Sequence, residues 1–493
     1  MEFISGENRS QILLLPDSIE EYIEANNAVR VLDAYINRLS LAELGFSKPA
    51  PHETGRPMYN PKDLLKLYVY GYMNRIRSSR RLETESRRNL EVLWLVGKLS
   101  PDHKTIARFR HDNAHALKNV FRDFVKLCLK LGLYGRELAA IDGSKFKAVN
   151  STVRNFTEKK LQKLLERIDG HIKEYLEMLD HTDADEDRVS GEKTREEIAV
   201  ILKKLKGRKE RYQGYVEELE RSGESQKSLT DPDSRLMLNN GKMDVCYNIQ
   251  TAVDAENKLI IDFTVSNQGN DKNFITPMAV SAKEQLETDK ITVVTDGGYE
   301  SIQDMINATS QGVDVHVAGT DFDICVETKE GEGTEIASHH KGRCVYLTKR
   351  NIGLCPMGKV LYPVYVKKNK GGWAGVFYNY EACKQCTCVC TKDARGVFHY
   401  LVPMAKQDFS KVYNDHTLKV KQIRIKPEKS LIEQRKAIVE HPYGTIKRGM
   451  DAGYCLTKGL GNVTGEFALT FLAYNLKRVI NILGSETLIA NMA

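Results

Sequence analysis

The sequence predicts an α/β catalytic domain preceded by a helical N-terminal domain and broken by two insertions. Three observations predict it. Residues 18–135 carry apolar side chains at helical spacing. Two short apolar runs, 138–141 and 291–294, each lead into an Asp-Gly pair, Asp142-Gly143 and Asp296-Gly297. Between them lie two alternating stretches and one helical stretch, the order of a mixed sheet whose acid-bearing strands can end side by side.

The N-terminal elements come first. Asn60-Pro61 marks a helix start, because proline fits the first helical position, and Leu64, Leu65, Leu67, Tyr68 and Tyr72 follow at helical spacing. A second helix follows Ser78-Ser79 and carries Leu82, Leu90, Leu93 and Trp94. Ser100-Pro101-Asp102 starts a third, with Ile106 and Phe109, and later Val120, Phe121, Phe124 and Val125. Arg75, Arg77, Arg80, Arg81, Arg87 and Arg88 cluster on these short helices. Two readings fit: a helix-turn-helix-like DNA-binding module, or an ordinary bundle with solvated basic faces.

Next comes 138–141, a buried strand with a carboxylate at its end. Residues 157–221 carry two apolar stripes, one through Leu161, Leu164 and Ile168, the other through Ile198, Ile201 and Leu205, with a polar break at 180–191. They predict two long helices in an antiparallel hairpin, structural or self-associating in role. Val245, Tyr247, Ile249, Thr251 and Val253 then alternate with smaller or polar residues, and Leu259, Ile261, Phe263 and Val265 repeat the pattern after a turn, giving a strand hairpin. A helix at 274–286, the strand at 291–294, a helix at 301–309 and a strand at 313–317 complete the series. The domain division is 1–135 (helical, DNA-binding), 136–156 and 226–320 (the two parts of the sheet domain), 157–225 (helical hairpin), 321–425 (cysteine-rich) and 426–493 (closing helices).

Composition is that of a globular chain: 493 residues, 41% hydrophobic and 28% charged. The net charge of +7, from 73 basic and 66 acidic residues, is too small to prove a nucleic-acid partner, so clustering carries the argument. A second basic cluster runs from Lys419 to Arg448. No signal peptide is evident, and no apolar run approaches the ~18 residues of a membrane span. The chain is therefore expected to be soluble and intracellular, with no membrane partner. Its ten cysteines are then expected as thiols or metal ligands. Cys355, Cys383, Cys386 and either Cys388 or Cys390 suit a four-thiolate structural Zn²⁺ site, with plain reduced thiols as the alternative.

Strand with Asp, hairpin, helix, second strand with Asp is the ribonuclease-H-like plan, in which the first and fourth strands are neighbours. A single Asp-Gly after a strand is commonly just a turn; two at matching places are a sharper signal. A third carboxylate on a late helix completes such a site. Glu440 is the candidate, with Glu466 as its competitor. Glu440 and Lys447 are seven residues apart, about two helical turns, so they can share a face. Pro442 predicts that Glu440 sits at a helix start or a kink. Oxygen-only donors suit Mg²⁺ (or Mn²⁺), and two ions about 3.5–4 Å apart can activate one oxygen and stabilise another.

The chain also resembles bacterial insertion-sequence transposases of the DDE class, in the group related to those with a Tyr-Arg-Glu-Lys signature. The resemblance rests on Gly55-Arg56-Pro57, on the stretches from Tyr68 to Tyr72 and from Arg75 to Leu82, on Ile141-Asp142-Gly143-Ser144-Lys145, Thr230-Asp231-Pro232-Asp233, Gly269-Asn270-Asp271, Asp296-Gly297-Gly298-Tyr299, and the stretch from Val439 to Lys447. Glu433 stands in the place of the signature Tyr and Lys436 in that of the Arg, with Arg435 beside it. The resemblance implies a transposase that cleaves the ends of its own element and joins them to target DNA by two-metal-ion phosphoryl transfer. It puts the catalytic, Mg²⁺-binding roles on Asp142, Asp296 and Glu440, and a DNA-end contact on Lys447 with Arg448 beside it. Arg75, Arg77, Arg80 and Arg81 are the expected DNA contacts of the N-terminal domain. Double-stranded DNA (terminal repeats and target) and a second copy of the chain are the implied partners, in a cytoplasmic, nucleoid-associated setting. The rivals are a nuclease of the same fold without strand transfer and an inactive DNA-binding descendant.

Overall fold

The computed structural model describes residues 18–47, 58–182, 195–319, 322–329, 332–340, 344–347, 352–355, 359–369, 372–384, 397–402, 419–425 and 428–492, together with Met357 and Cys386. Gly55-Arg56-Pro57, Cys388 and Cys390 lie outside the described residues.

The described chain opens with helices α1 (Ala28–Arg38), α2 (Pro61–Met73), α3 (Ser79–Arg88), α4 (Leu90–Leu95), α5 (His103–Asp112) and α6 (Ala114–Lys130). Local chemistry sets their starts. The side chains of Asn27, Asn60 and Asp102 accept first-turn N–H groups, and Pro61 takes the first position of α2. Their apolar stripes bury Tyr35, Tyr68, Tyr72, Phe121 and Phe124 completely.

Strands β1 (Leu138–Lys147) and β2 (Asn155–Thr157) follow, then α7 (Glu158–Thr182) and α8 (Arg195–Ser222). The two long helices pack on each other, with Leu161, Leu219 and Phe156 in a small core of their own and Lys209 reaching Asp169 at 2.6 Å. Then come β3 (Gln226–Ser228), β4 (Arg235–Asn239), β5 (Lys242–Asp254), β6 (Ile260–Ser266), α9 (Ile275–Leu286), β7 (Ile291–Thr295), α10 (Ile302–Ser310) and β8 (Val313–Val317).

The main sheet has the order β4-β5-β1-β7-β8, with β6 also on β5. β5 is antiparallel to β1 and β6, whereas β1, β7 and β8 run parallel. Ala140 pairs with Val294. Asp142 lies two residues beyond this pair on β1, and Asp296 two residues beyond it at the turn just past the end of β7, so the two acids come near each other. One expectation is corrected here: β1 does not end at Asp142. It pairs with β5 from Ala139 opposite Asp254 to Lys147 opposite Cys246, so Asp142-Gly143 is mid-strand and not a turn.

The later region adds β9 (Phe322–Lys329), β10 (Glu332–His340), β11 (Val345–Leu347), β12 (Ile352–Leu354), β13 (Val360–Asn369), β14 (Gly372–Tyr378), α11 (Tyr380–Lys384), β15 (Phe398–Val402) and β16 (Lys419–Ile425), forming sheets β10-β9-β16 and β11 to β15 in sequence order. The chain closes with α12 (Lys429–Gly444), α13 (Leu460–Leu483) and α14 (Ser485–Ala490). α12 lies across β1 and β7. Pro442 lies inside α12, so Glu440 is not at a helix start; the helix runs on past the proline into a π turn at Thr445–Gly449.

α13 is the central brace. It packs on α2, α6 and β6. Phe467 meets the Phe146 ring at 4.7 Å and Phe471 meets Phe263 at 4.8 Å. Buried Asn475 satisfies both backbone groups of Ile260, accepting from its N–H at 2.9 Å and donating to its carbonyl at 2.8 Å. Asp233 accepts the N–H of Leu460 and Asp231 that of Gly459, so the Thr230-Asp231-Pro232-Asp233 motif caps this helix. Among the described residues no helix is long and apolar enough to cross a membrane.

α13 approaches α6 so closely that a β-carbon at Gly465 would lie 2.7 Å from Ala114 Cα. Gly465→Ala is expected to destabilise the protein by about 1–3 kcal/mol, because backbone and not a movable side chain is in the way; the urea midpoint measures it.

Candidate catalytic site

Asp142 and Asp296 form the nucleus of the site. Small, fully buried Ala139 and Ala140 bring β1 tightly into the sheet, and the β-branched run of β7 delivers Asp296 beside it. Asp296 Oδ1 accepts the N–H of Gly298 at 2.9 Å, which fixes the turn after the strand. The Asp142 side chain keeps 21% of its surface exposed. Burial pushes its carboxyl up to about 6; Arg435 opposes the shift, and the charges of Asp296 and Asp271 add to it. The two carboxylates thus feel each other, and a cation between them would relieve the repulsion.

α12 supplies the positive side of the site. Arg435 Nη1 lies 3.8 Å from Asp142 Oδ1. Tyr443, buried, donates to the Asp142 carbonyl at 3.1 Å and receives Thr251 Oγ1 at 3.0 Å, pinning the helix to the strand. Lys447 Nζ reaches Ser144 Oγ at 2.6 Å and lies 4.6 Å from the centre of the Phe146 ring. Burial lowers its proton affinity, partly offset by Asp142.

Glu440 is on the same helix but is exposed, with no hydrogen bond or ion pair among the described residues. The structure therefore brings together Asp142, Asp296, Arg435 and Lys447, and leaves Glu440 one turn from Tyr443 in solvent. Among the described residues no group of three or more His, Cys, Asp or Glu is gathered to hold a metal ion. The competing third acid is excluded by its partners. Glu466, fully buried, receives Arg77 at 2.5 Å, the N–H groups of Leu456 and Thr457 and the hydroxyl of Thr457.

That pair also corrects the expectation for Arg77. Only 5% exposed, it is committed to Glu466 and to the carbonyls of Asp451 and Tyr454, so no phosphate can reach it. Arg75, Arg80, Arg81 and Arg448 are exposed, as a DNA contact requires. Arg87 and Arg88 are exposed but paired with Glu83 and Glu85.

In the cysteine-rich segment, Cys355 is buried with Cys344, Leu361 and Phe377, and Cys383 packs against them. Cys386 follows at the end of α11, where its N–H reaches the Cys383 carbonyl at 3.2 Å. Cys344 had no spacing motif to mark it. Cys390 falls outside the described residues, and the described cysteines are not arranged as a metal site.

One aspartate within a strand and one just past the end of the neighbouring parallel strand of a mixed sheet, flanked by cations, are the plan of a ribonuclease-H-like phosphoryl-transfer enzyme. Comparison with known families agrees. Residues 17–112 match the Transposase domain (DUF772), and residues 354–480 match the Transposase DDE domain. No curated protein matches the chain. The two matches support a DDE-class insertion-sequence transposase, and the DDE domain is that of a metal-dependent enzyme that acts on DNA. The DDE match takes in Glu440 and Lys447; Asp142 and Asp296 lie before it.

Two outcomes follow from this geometry. Glu466→Gln leaves the Arg77 charge buried without its partner, and is expected to cost about 3–5 kcal/mol in chemical denaturation. For Asp142, the unfolded carboxyl releases its proton near 3.8 and the folded one near 6. Between those values the unfolded chain binds fewer protons, so cation-free stability falls as pH rises. Asp142→Asn removes that loss. It is expected to stabilise the cation-free protein by roughly 2 kcal/mol at pH 7, at about 1.4 kcal/mol per unit less some solvent screening, and to add nothing from this source at pH 3. Melting curves at the two pH values measure it.

Proposed function

We propose that the chain cleaves the ends of its own DNA element and joins them to target DNA, with Asp142 and Asp296 as the primary acids and Glu440 as the third. The observation that carries this is that Asp142 on β1 and Asp296 at the end of the neighbouring parallel strand β7 lie near enough for their charges to act on each other, with α12 packed across both strands. The donor set fits a hard divalent cation, Mg²⁺ or Mn²⁺: it is oxygen only, and its carboxylates repel each other until a positive charge intervenes. A bound ion would supply charge neutralisation and a polarised oxygen.

The chain's own groups do the rest. Lys447, held at Ser144, and Arg435, beside Asp142, offset the repulsion between the acids and an incoming phosphodiester. Tyr443 holds α12 at β1, so that these cations approach with the strand and not independently of it. Glu440, three residues before Tyr443, is on the turn from which a side chain can complete the oxygen set once phosphate has drawn Arg435 away from Asp142. Arg75, Arg80 and Arg81 would track the backbone of the terminal repeats. Two copies would act together, since two ends must be joined. The domain division above, with the helical hairpin and the cysteine-rich segment as insertions in one catalytic domain, belongs to the same reading.

The test is an end-cleavage and joining assay with Mg²⁺ and DNA flanking the gene. Asp142→Asn and Glu440→Gln are expected to lower cleavage by about two to three orders of magnitude, the scale of removing one preorganised charged group. Cleavage that persists in Glu440→Gln removes the third-acid role from that residue. Cleavage without joined products by the wild type supports the nuclease instead.

A further inference from the structure

The reverse side of β1 carries a second polar cluster. Side chains alternate along a strand. Asp142 and Ser144 face Arg435 and Lys447, and Gly143 and Lys145 face the other way. There Asp271, in the loop between β6 and α9, accepts from Lys145 Nζ at 3.0 Å on one carboxylate oxygen and 3.1 Å on the other. It also accepts from Asn248 Nδ2 and Gln250 Nε2, each at 2.7 Å. Asn248 donates further to the carbonyls of Gln268 and Asn270, which holds the loop in place. Gln250 Oε1 accepts the hydroxyl of Tyr299, a fully buried ring in the single 3-10 turn, Gly297–Tyr299, that follows Asp296.

Two glycines make room for this network. A β-carbon on Gly143 would stand 2.3 Å from Gln250 Nε2 and 2.6 Å from Asp271 Oδ1. One on Gly298 would stand 3.0 Å from Asp296 Oδ1 and 3.7 Å from Asp271 Oδ2. Asp271 therefore borders both Asp-Gly motifs at once, from behind.

We propose that Asp271 is a positioning residue of the catalytic centre, acting through Gln250 and Tyr299 to tie the turn after Asp296 to β1 and so to fix the separation of Asp142 and Asp296. The need is electrostatic. Two carboxylates on adjacent strands repel, and the last hydrogen-bonded pair between β1 and β7 is Ala140 with Val294, two residues short of the acids. Beyond that point the ladder holds nothing. The network behind it does, and Lys145 balances the charge of Asp271, so the tie adds little to the repulsion that it restrains. Asn248, Gln250 and Tyr299 are wholly buried, where a cut hydrogen bond leaves an unsatisfied group and the remaining ones cannot turn to water.

This inference rests on the reading that Asp142 and Asp296 hold the divalent ion, and the experiment separates the two. Mn²⁺ binding to the full-length protein is measured by calorimetry, with end cleavage in parallel, for wild type, Asp271→Asn, Tyr299→Phe, Gly143→Ala and Asp142→Asn. Tyr299→Phe removes one hydroxyl and keeps the ring, so it is the variant that decides if Asp271→Asn or Gly143→Ala fails to fold. The expected result is Mn²⁺ affinity about 10–100-fold weaker in the folded Asp271, Tyr299 and Gly143 variants, the scale of losing a supporting contact behind a metal ligand, with kcat reduced and KM for DNA unchanged. If Tyr299→Phe binds Mn²⁺ as the wild type does while Asp142→Asn does not, the positioning role is overturned, even where the melting midpoint falls. If Asp142→Asn keeps wild-type Mn²⁺ affinity, the site assignment beneath it fails instead.

Discussion

The interaction on which most of the structure depends is the buried pair of Arg77 and Glu466. Arg77 comes from the loop between α2 and α3, and Glu466 from the second turn of α13, 389 residues later. Neither charge has water to return to, so each must be met by protein groups. Glu466 collects Arg77, two backbone N–H groups and a hydroxyl from Leu456 and Thr457; Arg77 adds the carbonyls of Asp451 and Tyr454. One pair thus fixes the start of α13, the 451–457 loop and the N-terminal helices to each other. That loop directly follows the π turn that carries Lys447. Cys455 then donates its N–H to the carbonyl of Lys147 at the far end of β1. The placement of a catalytic-side cation is in this way tied to the same pair that joins the helical domain to the sheet.

From that brace the site follows by two constraints of different stiffness. The β1–β7 register brings the end of β7, and with it Asp296, beside Asp142, and a one-residue slip would turn Asp142 to the other face. The helix α12 and the π turn after it are held by apolar burial of Ile438, Val439 and Ile446 and by the Tyr443 hydroxyl. Helix faces rotate about 100° per residue, so a short π segment next to Pro442 changes which side chains look at the sheet. Arg435 and Lys447 reach β1 across that change of pitch, and Glu440 is exposed.

These same constraints explain what the sequence disclosed. Alternation in 245–253 and 259–265, and the two apolar runs ending in Asp142 and Asp296, reflect burial on the two sides of a sheet, and burial leaves a pattern in residue type. The helix at 275–286 and the strand at 313–317 were legible for the same reason. Arg77 was misread as a DNA contact because its neighbours Arg75, Arg80 and Arg81 are exposed, and its partner Glu466 has no local signal. Asp142-Gly143 resembled a turn because glycine after aspartate serves turns more often than it serves a close approach from Gln250 and Asp271. Asp271 itself lay in Gly269-Asn270-Asp271, a polar break between a strand and a helix; only the fold brings it behind β1.

The arrangement has a physical logic that links stability to catalysis. A site that gathers negative carboxylates and must then receive a negative phosphodiester is unfavourable twice over, and each half of the problem has its own remedy here. Repulsion between the acids is restrained from behind by a nearly neutral network on rigid strands, where small displacements are costly. On the proposed reading, repulsion toward DNA is offset in front by Arg435 and Lys447, on α12 and the π turn that follows it. Rigid support suits the acids, because cation coordination demands a fixed separation of oxygens. A more adjustable element suits the phosphate contacts and Glu440, because a transposase on the proposed reading must hold an element end, its cleaved product and then a target strand at one pair of aspartates.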